Sequence, residues 1–185
     1  MKILGHFALN SPFQPQYLAN DNIRLQYLYP NNSEMNMTIW KRSIDLERLN
    51  ATSKNTLIDH LNIVYTAFGD DFIEANMPVC HFTHQPLGML HGGASVVLAE
   101  TLGSVAANFC VDKESYCVGL DINANHVRSM REGQVIGRAT PIHLGVSTQV
   151  WQINITDERE RLVCTSRLTI AVKRKRNAKQ SIKAD

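Results

Sequence analysis

The sequence predicts an α+β domain in which an antiparallel sheet wraps around one long central helix. Three observations predict it. Residues 91–110 form the one long helical stretch, apolar or small nearly all round. Four runs after it alternate apolar and polar residues with the period of two that marks strands. Two further strand-like runs before it flank Gly69-Asp70, a hairpin-type turn.

Ser43, followed by Asp45 and Glu47, predicts a short helix over 43–53, with a capping hydroxyl and acids near the positive end of the dipole. The stretch 56–60 adds a turn. Strands are expected at 62–68 and 71–77. The central helix reads from His91-Gly92-Gly93-Ala94 to Phe109-Cys110, and a helix so apolar is buried on most sides. In the first run after it Val118, Leu120, Ile122 and Ala124 share one parity. The segment 132–142 follows Arg131 and ends near Pro141. Trp151, Ile153 and Ile155 share a face in the next run. Leu162, Cys164, Leu168, Ile170 and Val172 share one in the last. Asp157-Glu158-Arg159-Glu160 is the charged turn between these two. The expected boundaries are an irregular arm over 1–36, one domain over 37–172 and a basic tail over 173–185. Met35 and Met37 each offer a later start.

Of the 185 residues, 44% are hydrophobic and 19% charged, which fits one domain with appendages and excludes a disordered polyelectrolyte. The net charge of +2 comes from 19 basic and 17 acidic residues. Six of the basic ones lie in the last 13 positions, which leaves the body with 13 basic against 16 acidic residues. The charge therefore describes a tail, and no nucleic-acid partner is expected. No apolar stretch is long enough to cross a bilayer, and residues 1–7 lack the build of a secretory signal. Four cysteines in no CxxC pattern suggest a reducing compartment. A cytoplasmic location without a membrane partner is the expectation.

Glu100 is the only acid between Glu74 and Asp112, mid-way along the apolar helix. A buried carboxylate is costly unless it is hydrogen-bonded or used. A structural role, accepting bonds from neighbouring strands, and a chemical role are both open on the residues alone. Ser104, at i+4, shares its face. His91-Gly92-Gly93 opens the helix, where free N–H groups point along the positive end of the dipole. Cys80-His81 with His84 hints at metal ligands but has no fourth ligand at a suitable spacing, so no metal is expected. Cys110 reads as core.

The run Gln85-Pro86-Leu87-Gly88-Met89-Leu90-His91-Gly92-Gly93-Ala94-Ser95-Val96-Val97-Leu98-Ala99-Glu100 closely resembles the hotdog-fold acyl-CoA thioesterases of the phenylacetate-degradation type. The nearest branches are the 1,4-dihydroxy-2-naphthoyl-CoA hydrolases and the 4-hydroxybenzoyl-CoA thioesterases with a helix-borne glutamate. The likeness runs from Trp40 to about Val172. It includes Gly119-Leu120-Asp121-Ile122-Asn123-Ala124-Asn125-His126-Val127-Arg128-Ser129 and Gln149-Val150-Trp151-Gln152-Ile153.

The resemblance implies that Glu100 is the general base on water or the nucleophile on the thioester carbonyl. It makes the Gly92 N–H the oxyanion donor. Gln85 would position the carboxylate or water, His91 would orient the loop and acyl carbonyl, and Ser104 would assist the carboxylate. Coenzyme contacts would come from Gly119, His126, Val127, Arg128 and Ser129. A second contact segment would be His143, Leu144, Gly145, Val146, Ser147 and Thr148. Relatives often carry a basic residue soon after that glycine, where this chain has Val146-Ser147; Lys173 and Arg174 are placed to compensate. Val64, Phe68 and Met89 would line the acyl pocket.

Eight residues separate Gly92 from Glu100, so on one helix they stand roughly 12 Å apart. Both must come within about 3 Å of the same reacting atoms, which one helix cannot arrange. The two groups of one site then come from different subunits. A homodimer is the minimum, with a tetramer left open.

The implied activity is hydrolysis of an aromatic or medium-chain acyl-CoA to free acid and coenzyme A. Coenzyme A enters as part of the substrate, and no cofactor is expected. Two alternatives stand beside it: a thioesterase acting on acyl groups held by a carrier protein, and a non-catalytic acyl-CoA-binding regulatory module.

Overall fold

The computed structural model describes residues 38–175. The arm expected over 1–36 and the tail beyond residue 175 lie outside the described residues.

Two short helices come first, α1 over Leu46–Thr52 and α2 over Leu57–His60. The cap of α1 is Asp45 rather than Ser43: its carboxylate accepts the Arg48 N–H at 3.1 Å. The helix starts after it, because an ionised acceptor at the extended residue serves the free amides of the first turn. Thr56 caps α2 in the same way.

Strands β1 (Val64–Phe68) and β2 (Ile73–Pro78) form the expected hairpin. Two two-residue strands that the sequence does not announce, β3 (His84–Gln85) and β4 (Met89–Leu90), pair around Pro86. Helix α3 follows over Gly92–Phe109. Then come β5 (Ser115–His126), β6 (Gln134–Leu144), β7 (Thr148–Asp157) and β8 (Leu162–Arg174). The last strand thus carries Lys173 and Arg174, two residues past the expected domain boundary. One six-stranded antiparallel sheet results, in the order β1-β2-β6-β7-β8-β5.

Helix α3 lies against one face of this sheet. Ala94, Leu98, Ala99, Leu102, Gly103, Ala106 and Ala107 form its buried stripe. They pack on a core that includes Trp151, Ile153, Ile155, Leu168 and Ile170. The small residues are needed for this closeness: a methyl on Gly103 would stand 2.5 Å from Leu168 Cδ2. The opposite stripe, with Val97, Glu100, Thr101, Ser104, Val105 and Asn108, is only half-buried. Within one chain, then, α3 is buried on one face and not on most sides.

Two parity expectations change. In β8, Leu162 faces solvent and Val163 is buried, because the pairing with β7 shifts register between Ile155 and Thr156. In β5 a bulge between Gly119 and Asp121 divides the strand. Before it, Ser115 and Cys117 point inward while Val118 is exposed. After it, the half-buried residues are Ile122 and Ala124. Leu120, at the bulge, is 62% exposed. The four residues that share a parity in the sequence therefore do not share a face.

A strap over residues 38–42 holds the far end of α3. The Ile39 N–H donates to Asp70 O at 2.9 Å, Trp40 Nε1 donates to Gly69 O at 2.7 Å, and the Trp40 ring stacks on buried Trp151. The Lys41 N–H donates to Phe109 O at 2.9 Å. Arg42 donates to the carbonyls of Val111, Asp112 and Ser115. The Lys41 amide thus satisfies a carbonyl the helix cannot, and the Arg42 guanidinium ties down the loop that follows it. Among the described residues no helix is long and apolar enough to cross a membrane.

Candidate active site

Glu100 points from the half-open stripe of α3 toward β5. Its carboxylate lies against the backbone of Gly119: a methyl on that glycine would overlap Oε1 and stand 3.2 Å from Cδ. The Ser104 hydroxyl donates to Oε1 at 3.4 Å. Burial pushes the Glu100 carboxyl above its ordinary value, and the Ser104 bond offsets part of that rise. The carboxylate occupies the side of Gly119 where a side chain would point, while the residue itself stays exposed on the outer strand.

One turn further on is Asn108, which sequence reasoning missed. Its Oδ1 accepts the Cys117 N–H at 2.9 Å, and its Nδ2 reaches Ser104 O at 2.9 Å and Cys117 O at 3.4 Å. Glu100, Ser104 and Asn108 are spaced i, i+4, i+8, so one face of α3 addresses β5. That spacing was the available signal. Beside Ser104 opens a cavity of about 260 Å³ lined by Arg42, Leu49, Ser104, Val105, Asn108 and Phe109. Val64, Phe68 and Met89, expected around an acyl group, do not line it. Val64 and Phe68 project instead from the sheet edge. Cys110 is buried with its thiol pushed well up by desolvation, which agrees with a core role.

The other end of α3 gathers a second group. His91 is the N-cap residue, and its Nδ1 accepts the Gly93 N–H at 2.8 Å. No acceptor among the described residues takes the Gly92 N–H, which leaves a free donor at the positive end of the dipole. The His126 ring lies over Gly92, its Nε2 2.9 Å from where a side chain would begin. The Gln85 side chain is turned into its own loop, accepting the Leu87 N–H at 2.7 Å through Oε1. The segment after β5 is stitched to this loop: the Leu90 N–H donates to Met130 O, the His84 ring meets Arg131 O, and Arg131 donates to the carbonyls of Leu87 and Gly88. Arg131 is therefore a loop clamp. Exposed Val127 and Arg128 ride on β8, the Arg128 Nε donating to Leu162 O at 3.3 Å. Ser129 follows, also exposed. His84 is committed to this loop, and among the described residues no three histidine, cysteine or acidic side chains gather as metal ligands do.

The segment 143–148 is elsewhere. Its Gly145 N–H donates to Thr148 O, closing the β6–β7 turn over His143, and Val146 projects freely. Ser147 O accepts the Val172 N–H, while Arg128 bonds Leu162. Ten residues of one strand separate these anchors, roughly 33 Å. Lys173, opposite Tyr116, belongs to the Val172 end. Within one chain the structure brings together Gln85, His91, Gly92, His126 and Arg128. It brings together Glu100, Ser104 and Gly119. It holds residues 143–148 and Lys173 far from the first group, whereas the register sets them nearer the second, since Ala171 pairs with both Val118 and Thr148.

The family model described as Thioesterase superfamily matches residues 87–164. The chain is 58% identical over 134 residues to the 1,4-dihydroxy-2-naphthoyl-CoA hydrolase of Escherichia coli, covering 72% of this chain and 98% of that one. It is 54% identical over 135 residues to the proofreading thioesterase EntH of Cronobacter sakazakii, covering 72% and 98%. The crystal structure of a thioesterase from Haemophilus influenzae superposes with a TM-score of 0.73 at 53% identity, covering 74% of this chain and 96% of the other.

Proposed function

The chain belongs to the Thioesterase superfamily, whose hotdog fold it has, and from that premise we propose that this thioester hydrolase cleaves acyl-coenzyme A at a site shared by two copies of the chain. The observation that carries the reading is Glu100: a half-buried carboxylate, its basicity raised by burial, on the open stripe of an apolar helix. It lies directly behind β5, the outer strand of the sheet. A second copy laid antiparallel along that edge covers the open stripe of α3. The same pairing reverses the ends of the strand, so that Gly92 of the partner subunit approaches Glu100. It also brings the partner's segment 143–148 toward Arg128, groups that a single chain holds apart.

The chemistry follows from this placement. Glu100 takes a proton from water, and the resulting hydroxide attacks the thioester carbonyl. The oxyanion that forms accepts the free N–H of the partner's Gly92, aided by the dipole of that helix. The carbonyl–sulfur bond breaks, and the departing thiolate takes back the proton from Glu100. Free acid and coenzyme A leave. Direct attack by the Glu100 carboxylate, with water then cleaving the anhydride, uses the same atoms. Water is the only co-reactant, and neither route calls for a metal or redox group. The cavity beside Ser104 is placed to receive the acyl group, and Arg128 offers a fork of donors to coenzyme phosphates.

A second reading has the acyl group arrive on a carrier protein instead of coenzyme A. The test is free-thiol release across aromatic and aliphatic acyl-coenzyme A thioesters, with the same acyl groups on a carrier protein in parallel. Hydrolysis of the coenzyme thioesters, lost on Glu100→Gln in a folded dimer, is the expected result. No thiol release from any of them, or a Glu100→Gln protein of full activity, overturns the reading.

A further inference from the structure

Gly119 sits inside a strand, where glycine packs nothing and weakens the pairing. The backbone does not require it. Gly88 at φ 69° and Gly133 at φ 85° are in the left-handed region, whereas Gly119 is not. What the position does require is room. A Cβ there would overlap Glu100 Oε1 and stand 3.2 Å from Cδ and 3.6 Å from Oε2, so the whole carboxylate rests on the bare backbone. Oε1 is also the oxygen that accepts the Ser104 hydroxyl. The alternation that turns Ser115 and Cys117 inward brings Gly119, and not exposed Leu120, toward the helix, and the bulge follows it.

We propose that Gly119 is a positioning residue: its missing side chain forms the slot that fixes the Glu100 carboxylate between Ser104 and the open edge of β5. This rests on the reading of Glu100 given above. It assigns the space over Gly119 to the enzyme's own carboxylate and not to the pantetheine arm. The displaced group in an alanine variant would be the far end of a flexible side chain, so the fold tolerates the methyl while the reacting atoms move. A small misplacement of a general base is costly in rate even where stability is kept.

The experiment compares Gly119→Ala, Glu100→Asp, the double variant and Glu100→Gln. Each is assayed as the intact dimer, on the fastest coenzyme thioester of the panel above, with kcat, KM and Tm measured. Gly119→Ala is expected to keep Tm within a few degrees and KM within about twofold, and to lose about 100-fold in kcat. Aspartate is one methylene shorter and withdraws from the slot. The double variant is therefore expected to be no slower than Glu100→Asp alone. Full kcat in Gly119→Ala overturns the proposal, as does a raised KM with kcat unchanged, which would return Gly119 to the substrate. Multiplying losses in the double variant overturn it too. If Gly119→Ala does not fold, the double variant is expected to fold; its failure would show a demand of the backbone and overturn the proposal. A Glu100→Gln protein of full activity sinks the underlying reading and this inference together. An inactive Glu100→Gln beside a fully active Gly119→Ala sinks this inference alone.

Discussion

β1 and β5 are the two outer strands of one sheet, and they handle their exposure differently. β1 has five residues, broken by a bulge between Tyr65 and Ala67. The side chain of Asn50 covers its outer edge, donating to Tyr65 O and accepting the Tyr65 N–H. β5 has twelve residues. Asn108 covers it in the same manner at Cys117, one residue of a strand more than twice as long. From Val118 to Ala124 nothing among the described residues takes the outward backbone groups, and Val118 and Leu120 stand exposed beside them. A long, uncovered edge with apolar side chains invites another strand, whereas short, bulged and capped edges refuse one. The candidate catalytic carboxylate lies behind the inviting edge. The contrast teaches that one sheet edge is finished within the chain and the other is finished by assembly.

The sharpest way to break this contrast is to divide the site between protomers. Glu100→Gln and Gly92→Pro are each expected to lose about 1,000-fold in thiol release; proline suits the first helical position and removes the N–H, while its ring pushes aside the His126 side chain that lies over Gly92. Random mixing of the two restores about a quarter of the wild-type sites, because half the dimers are mixed and each holds one intact site. No recovery on mixing would mean that each chain works alone.

A smaller effect comes from charging the edges. Leu120→Lys places like charges across the proposed pairing and is expected to shift the dimer toward monomer, with about 100-fold lower activity. Phe68→Lys, on the β1 edge, leaves both unchanged. Light scattering and thiol release read the pair. Equal behaviour of the two variants would erase the contrast.

Smaller again is the coenzyme end. Arg128→Ala is expected to raise KM about tenfold with kcat changed less, since phosphate contacts hold substrate and transition state alike. The reverse pattern would remove Arg128 from phosphate binding.

The smallest effect is on stability. Burial lifts the Glu100 carboxyl above its unfolded value, so the native state binds that proton more tightly. The ionised group therefore costs stability above the lifted value, and the cost disappears below the unfolded one. Glu100→Gln is expected to raise Tm by a few degrees at pH 7, with the gain fading as pH falls from the lifted value and gone by about 4. Thermal unfolding at the two pH values checks this. A gain that persists in acid would mean that the carboxylate carries no burial cost.

Much of the architecture was legible because it rests on local signals. The apolar run from Gly92 to Phe109, the Gly69-Asp70 turn and the alternation in β7 depend on residues near one another in sequence. The i+4 relation of Glu100 and Ser104 was legible for the same reason. What escaped depends on partners. The β5 bulge arises from pairing with β8, so the even alternation of Val118, Leu120 and Ile122 conceals a change of face. The β3–β4 ladder exists because the 127–131 segment holds its loop. The separation of 143–148 from Arg128 is a property of strand order, which motif matching does not see. Asn108 was missed because its acceptors lie on another strand. The half-open stripe of α3 reads in sequence as core, and it becomes core only across the seam proposed here.

The carboxylate resting on Gly119 has a last implication. If that glycine belongs to the seam, a freshly synthesised chain is chemically silent until it finds its twin. Specific activity should then climb with enzyme concentration through the dissociation constant. Dilution alone, with no inhibitor present, would switch hydrolysis off.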